Sequence, residues 1–180
     1  MFRRMLVSAI VIPVLGCSVA PQQHPVGEIS GVEVLFRDPE KFSDVGESYS
    51  ASAESRRAYL AELEKYIVAR AAPLMRDKRR LVVTISDVDM AGAFEPWRRN
   101  LWNTRIVRDV YPPRIDLSFA LTDADGAVLK AGERKLRDVA FLTTPTLTYR
   151  SDPLRHEKNL LADWIDREFG SAPTHRASGN

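Results

Sequence analysis

Two aspartates at alternate positions, Asp87 and Asp89, are the residues of this chain best placed to do chemistry. They follow an apolar, β-branched run at residues 81–85, which predicts a strand covered on both faces. Open α/β sheets place ligands at the carboxyl ends of their strands, and paired carboxylates can bind Mg²⁺ or Ca²⁺. The same aspartates could instead accept backbone N–H groups in a turn that ends the strand near Gly92. A divalent cation at Asp87 and Asp89, used by a hydrolase, is therefore one alternative.

A second candidate site interleaves two tryptophans with four arginines between residues 97 and 108. Arginine forms fork-shaped hydrogen bonds with anions and stacks on aromatic rings, so this composition is typical of a surface that binds anionic or planar ligands. The alternative is that the tryptophans complete the core while the arginines pair with surface acids. The predicted binding surface consists of Trp97, Arg98, Arg99, Trp102, Arg105 and Arg108.

Other catalytic arrangements are poorly represented. The chain has no Gly-x-Ser-x-Gly elbow and no phosphate-binding loop, and its three histidines and single cysteine do not supply a His/Cys zinc site. Residues 123–126 fail the spacing of an EF-hand and are predicted to form a hairpin turn. His156 is predicted to be solvated on the polar side of the last helix, near Glu157. The sequence leaves enzymatic activity open but favours a protein that is not an enzyme and has no catalytic residues.

The first residues of the chain predict the export and localisation of the protein. Residues 1–16 have a short basic start and then an apolar run, as an export signal does. Cys17 follows Val-Leu-Gly, which resembles the bacterial lipobox, whose cysteine carries the lipid. Cleavage after Ala20 competes with this interpretation, but Pro21 fits badly into the extended backbone that a peptidase binds. We therefore expect a lipoprotein, lipidated at Cys17, that is exported to the periplasm and anchored to the outer membrane.

The net charge of the mature chain indicates which classes of binding partner to expect. The full chain has 26 Lys+Arg and 24 Asp+Glu, and a signal peptide that contains Arg3 and Arg4 takes two of the basic residues with it. A mature protein without net charge does not favour nucleic acid as a partner, and export argues against it as well. The lipid anchor supplies the contact with the membrane. An envelope protein, or an anionic glycan or lipid, is the expected partner of the surface at residues 97–108.

Composition divides the mature chain into a tether, one domain and a tail. Residues 17–30 contain two prolines and almost no apolar periodicity, which predicts a flexible tether behind the lipidated cysteine. Residues 31–170 contain the periodic apolar pattern and are predicted to form a single globular domain. Residues 171–180 are small and polar and are predicted to be a disordered tail.

Hydrophobic periodicity predicts the elements that position the candidate sites. Apolar residues alternate at 32–36 and again at 115–121, which predicts a strand in each place, and they recur at the helical period between 52 and 72. Strand, helix and buried strand together predict a βαβ unit. Residues 87–113 are predicted to be irregular.

The second half of the domain is predicted to be a hairpin followed by a helix. Residues 128–139 return from the turn as a strand with a bulge or bend at Gly132. The last helix is predicted to start with Asp152 as N-cap and Pro153 as its first residue, and to end at Gly170. The predicted fold is an α/β (α+β) two-layer sandwich, with a mixed sheet of four to five strands and two main helices on one face.

Several motifs resemble those of a known family. The most specific is Asp-Val-Asp-x-Ala-Gly at residues 87–92, and Gly-Glu-x-x-Leu-x-Asp occupies residues 132–138. With shorter patterns between residues 32 and 169, they resemble a family of exported bacterial proteins catalogued only as a domain of unknown function. The resemblance implies export and a single domain, and it carries over no activity. The function we expect is that of an exported lipoprotein, a non-catalytic binding or scaffolding protein of the cell envelope.

Overall fold

The computed structural model describes residues 31–145, 148 and 150–170. The predicted signal peptide, Cys17, the tether and the C-terminal tail lie outside the described residues. None of the described helices is long and apolar enough to cross a membrane. The helices are α1 (Ala53–Ala71) and α2 (Arg155–Phe169), and the strands are β1 (Val32–Phe36), β2 (Arg80–Asp89), β3 (Ala93–Phe94), β4 (Arg105–Ile106), β5 (Arg114–Thr122) and β6 (Val128–Arg137).

Four strands form one mixed sheet in the order β1-β2-β5-β6. The strands β1 and β2 are parallel and joined through α1, which confirms the predicted βαβ unit, and the other two pairings are antiparallel. The prediction of an α+β fold with a mixed sheet is therefore confirmed. The stretch predicted to be irregular contains a second, two-stranded sheet of β3 and β4, which sequence periodicity missed because each strand has only two residues.

The strand β2 is covered on one face, so the prediction of burial on both faces is wrong. Leu81, Val83 and Ile85 are buried, whereas Val82 and Thr84 are half-buried. Valine and threonine suit a strand whether its face is fully or only half covered, because their β-branched side chains pack well on a half-buried pleated surface. Composition alone therefore did not distinguish the two faces.

A β-bulge lengthens β2 beyond its predicted end. The register against β5 shifts between Ile85 and Asp87, so Ser86 is an extra residue and Val88 enters the core opposite Ile115. Without that residue, Ile85 and Val88, three positions apart, would face opposite sides of the sheet. Asp87 and Asp89 consequently lie inside the strand, rather than in a turn after it.

The hairpin between β5 and β6 forms as predicted. The Asp123 carboxylate accepts the N–H groups of Asp125 at 3.0 Å and Ala127 at 2.9 Å, and Gly126 has a φ of 86°. The predicted bulge at Gly132 is wrong, because Gly132 pairs with Phe119 in regular register.

Gly132 makes room for a side chain instead. A Cβ at this position would lie 2.8 Å from Nη1 of Arg134, whose guanidinium group stacks 5.1 Å from the centre of the Phe119 ring. The same guanidinium donates to Glu168 of α2 at 2.8 and 2.9 Å. The glycine therefore lets a cation bridge the sheet edge and the last helix.

The two helices complete the core. α1 begins after Ser52, whose hydroxyl oxygen accepts the N–H of Ser55 at 3.0 Å. The core side chains of α1 and α2 belong to one hydrophobic cluster with those of the sheet, and Trp164 packs edge-on against Phe119 at 5.7 Å between ring centres.

The start of α2 differs from the prediction. The helix begins at Arg155, and Asp152 is not its N-cap: this carboxylate accepts the Leu154 N–H at 2.8 Å and Nζ of Lys158 at 2.7 Å. Asp152 and Pro153 form a turn that precedes the helix. The predicted C-cap is confirmed, since the Gly170 N–H donates to the Asp166 carbonyl at 3.0 Å.

Candidate functional site

The segment between β3 and β4 is a loop of successive tight turns. Backbone N–H groups donate to carbonyls three residues earlier, from Arg98 to Glu95, Leu101 to Arg98 and Thr104 to Leu101, at 2.9 to 3.0 Å. The loop therefore satisfies many of its backbone groups locally, as a short 3₁₀-like coil does, and residues 96–104 are exposed. We call residues 95–104 the aromatic loop.

The tryptophans of this loop are exposed. Trp97 is 70% exposed and Trp102 53%, so the alternative that they complete the core is wrong. Leu101 between them is 38% exposed. Tyr49, 61% exposed, lies beside the loop, because its backbone N–H donates to the Asn103 side chain at 3.0 Å. We call Tyr49, Trp97, Leu101 and Trp102 the aromatic patch.

The buried carboxylate of Glu95, the first residue of the aromatic loop, stabilises the loop. Glu95 is only 2% exposed, and its Oε1 accepts from Nη1 of Arg108 and from the Tyr111 hydroxyl, both at 3.2 Å. Nε of Arg98 lies 2.5 Å from Oε2 as an ion pair, although the alignment is not that of a hydrogen bond. Two arginines of the predicted binding surface thus compensate one buried charge, and Arg108 links the start of the loop to the segment after β4.

Arg105 is a structural residue. Its guanidinium group forms a fork with the Asp44 carboxylate at 2.8 and 2.9 Å and donates to the Gly46 carbonyl at 2.9 Å. It also stacks 4.5 Å from the centre of the Phe94 ring, and its side chain is 15% exposed. Both of its terminal nitrogens donate to protein groups, so Arg105 does not belong to the exposed surface predicted for it.

Gly92 forms the base of the loop. Its φ of 84° is in the left-handed region, and a Cβ there would lie 2.8 Å from the Ile106 carbonyl oxygen. Its N–H donates to the Tyr111 carbonyl at 2.9 Å. The glycine that ends the predicted Asp-Val-Asp-x-Ala-Gly motif therefore allows the two sides of the loop to approach each other closely.

Each of the two aspartates proposed as metal ligands binds protein donors. Asp87 accepts the backbone N–H and the hydroxyl of Ser43, both at 2.7 Å. Asp89 pairs with Arg114, whose Nε lies 2.9 Å from Oδ2. Residues 31–145, 148 and 150–170 contain no cluster of three His, Cys, Asp or Glu that could hold a metal ion. The donors of Asp87 come from a distant part of the chain, which the turn-capping interpretation did not foresee.

A small cleft lies at the end of β2 next to Asp89. Its volume is 260 Å³, and it is lined by Asp44 and Asp89 together with Tyr111, Arg114 and Arg137. Asp44 reaches this place because its backbone forms an isolated parallel bridge with Asp89. The position of Asp44 in this cleft was not predictable from the local sequence, since the bridge joins positions far apart in the chain.

The start of α2 buries two polar side chains, so the prediction of a solvated His156 is wrong. His156 is 7% exposed and packs edge-on against Phe141 at 4.9 Å between ring centres. Burial lowers the pKa of His156, and the charge of Arg155 lowers it further. Its Nε2 has no hydrogen-bond partner among the described residues.

Glu157 is fully buried. Its Oε1 accepts the N–H of Ala91 at 2.7 Å, and Oε2 has no partner in the described part of the chain. Burial raises the pKa of this carboxyl group. Adjacent His and Glu in a helix are typical of a solvated face. Here His156 packs against Phe141, which follows β6, and Glu157 is bonded to Ala91, which follows β2.

The chain was compared with known proteins. A family model described as "Protein of unknown function (DUF3016)" matches residues 30–167. Comparison with curated proteins and with solved structures finds no match.

Proposed function

We propose that this chain, which belongs to the DUF3016 family of proteins of unknown function, is a non-catalytic binding protein of the bacterial cell envelope. The observation that supports the proposal is the exposure of Trp97 and Trp102 on a loop that Glu95 holds in place. Exposed aromatic clusters on a folded surface are typical of interaction sites. We further propose export to the periplasm, with a lipid on Cys17 that anchors the protein to the outer membrane.

The composition of the surface favours a protein partner over a glycan or a lipid headgroup. Tryptophan, tyrosine and arginine are the residues that most often dominate binding energy between proteins. Arg98 and Arg108 are already opposed by Glu95, which leaves Arg99 as an exposed arginine of the loop with no ion pair among the described residues. An anionic polymer would require more uncompensated cations than this.

The loop also has the rigidity that binding requires. Its turns, the ion pairs of Glu95 and the contact between Tyr49 and Asn103 restrict it before any partner arrives. A loop whose backbone is already ordered loses less conformational entropy on association. The preformed backbone that carries the aromatic patch therefore supports its role as a recognition surface.

Site-specific photocrosslinking tests the proposal. A photoreactive residue replaces Trp102 in the full-length protein within its own envelope, and we expect a discrete protein adduct. Trp97→Ala should reduce the yield on the order of 10-fold, as removal of a binding hot spot does. The matched control is the same residue at Val139, which is 69% exposed and lies outside the loop.

Two outcomes would contradict the proposal of a protein partner. The first is the same set of adducts from position 139 as from position 102. The second is an adduct at position 102 whose yield Trp97→Ala leaves unchanged. Adducts with lipid or glycan alone would show that the partner is a lipid or a glycan and not a protein.

The lipid anchor has a test of its own. Cys17→Ser should abolish labelling by a lipid precursor and leave an unprocessed precursor. Cleavage after Ala20 in that variant would show that an ordinary signal peptidase acts instead.

The alternative function is that of a carboxylate- or metal-dependent hydrolase using Asp87 and Asp89. The neighbouring cleft with Asp44 is the feature that favours it. The donors that both aspartates already accept weigh against it.

A further inference from the structure

A second cleft lies at the start of α2, away from the aromatic loop. Its volume is 510 Å³, within the range of small-molecule sites. Phe141 and Leu142 supply an apolar part of its lining, and Arg150, Arg155 and His156 supply the polar part. Leu142 is 51% exposed, so the cleft opens to solvent on its apolar side.

The polar part of the cleft accumulates positive potential. Arg155 is the first residue of α2, where the positive end of the helix dipole disfavours a cation, and no side chain caps this end. Neither Arg150 nor Arg155 forms an ion pair within the described residues; Arg155 donates only to the carbonyls of Arg150 and Asp152, both at 3.4 Å. A bound anion would relieve this accumulation.

The nearby acids form no ion pair with these arginines among the described residues. Asp152 accepts from Lys158 at 2.7 Å and from a backbone N–H. Asp138 accepts the Ala140 N–H at 2.8 Å and the Thr144 hydroxyl at 3.2 Å. The charge of Asp152 is thus paired with Lys158, whereas the donors of Asp138 are neutral and its charge acts on His156 beside the two arginines.

His156 provides an independent observation. It lines the cleft, is more than nine-tenths buried, and its Nε2 has no hydrogen-bond partner in the described part of the chain. Buried polar atoms of native proteins are nearly always bonded to protein, water or ligand. His156 therefore adds to the wall of the cleft a polar side chain whose Nε2 has no partner among the described residues.

We propose that this cleft binds a small organic anion whose charged group faces Arg150, Arg155 and His156 and whose apolar body lies against Phe141 and Leu142. The charged group is a carboxylate or a phosphate, because both accept the fork of an arginine. The site does not depend on the aromatic patch, so either proposal can fail without the other.

Calorimetric titration of the full-length protein with three probes tests the site. Phenyl phosphate carries both halves of the proposed ligand, inorganic phosphate only the charge, and phenol only the ring. We expect saturable binding of one phenyl phosphate per chain, at least about 10-fold tighter than either fragment, because the cleft offers partners to both halves. Arg150→Met and Arg155→Met should each weaken binding on the order of 10-fold.

Controls separate the cleft from general charge effects. Arg57→Met removes an exposed arginine from α1 and should leave binding unchanged. In the wild-type protein, phenyl phosphate should shift the imidazole NMR signals of His156 and leave those of His24 and His175 in place. This measurement needs no variant, so it stands even where a substitution of buried His156 does not fold.

Three results would overturn the proposal. One is binding of phenyl phosphate that both arginine variants leave unchanged. Another is loss of binding in Arg57→Met equal to that in the cleft variants. The third is a bound state that leaves the His156 signals unmoved.

Discussion

Folded proteins usually bury aromatic side chains and expose charged or polar ones. The aromatic loop departs from this rule by exposing aromatic side chains, and the start of α2 departs from it by burying polar ones. The loop places Trp97 and Trp102 in solvent, whereas α2 places His156 and Glu157 in the interior. Hydrophobic burial favours neither arrangement. Departures of this kind concentrate at functional sites, and both regions carry a proposed binding site.

The two regions also treat a buried acid differently. Glu95 has two arginines and a tyrosine hydroxyl around its carboxylate, so its charge is compensated on site. Glu157 has one backbone donor and no ion pair with a described residue, and burial raises its pKa. Of these two buried carboxylates, one is paired with cations and the pKa of the other is raised by burial.

The largest expected effect in this comparison comes from substitution of the three tryptophans of the chain. Trp164 is 2% exposed, so Trp164→Ala should lower the free energy of unfolding by about 3–5 kcal/mol. Trp97→Ala and Trp102→Ala should each change it by about 0.5 kcal/mol or less, because their rings are exposed. Denaturant titration measures all three. A loss above about 2 kcal/mol in the loop variants would mean that these rings pack in solution.

The next largest effect is a difference between two arginines of the predicted binding surface, in how much the removal of each lowers the free energy of unfolding. Arg105→Met leaves Asp44 without its fork in a place that is only partly exposed, and we expect a loss of about 2–4 kcal/mol, somewhat below that of a fully buried pair. Arg99→Met is the matched control and should be nearly neutral, since Arg99 is exposed and has no ion pair among the described residues. Equal effects in the two variants would show that Arg105 does not hold the loop.

The buried pair in α2 should shape the pH dependence of stability. For Glu157 the raised pKa means that the stabilising neutral form is lost as pH rises above the ordinary value of 4.5 and through the folded value. For His156 the lowered pKa means that stability is lost as pH falls below 6.5. Compared with wild type, Glu157→Gln should flatten the alkaline side of the profile and His156→Gln the acid side.

Denaturant titrations over a pH series measure these profiles. Arg105 and Arg155 also act on Glu157, and Arg155 and Asp138 on His156, so each variant is compared with wild type at the same pH. An unchanged alkaline slope in Glu157→Gln would show that this carboxyl group ionises in the native state without cost.

The smallest effect concerns the two aspartates of β2. We expect calorimetric titration with Ca²⁺, Mg²⁺ and Mn²⁺ to give no saturable binding, because a cation would displace the donors from Ser43 and Arg114. Binding lost in Asp87→Asn and Asp89→Asn but kept in Asp125→Asn would instead favour the hydrolase.

Much of the fold was predictable from sequence because it depends on local patterns. The alternation in β5, the turn chemistry of residues 123–127 and the spacing of buried residues in α1 each specify one element. The bulge at Ser86 was not predictable, because one extra residue reverses the facing of all that follows, and only pairing with β5 reveals it.

The candidate sites also have features that depend on local sequence and features that depend on contacts between distant residues. The sequence by itself determined that arginine and tryptophan are concentrated at residues 97–108 and that Asp87 and Asp89 are alternate residues of one segment. Only the tertiary structure decided that Arg105 is bound by Asp44, that Glu95 holds the loop and that Glu157 is bound to Ala91. Charge compensation and burial depend on groups brought together from distant positions, and no local period in a chain encodes such a distance.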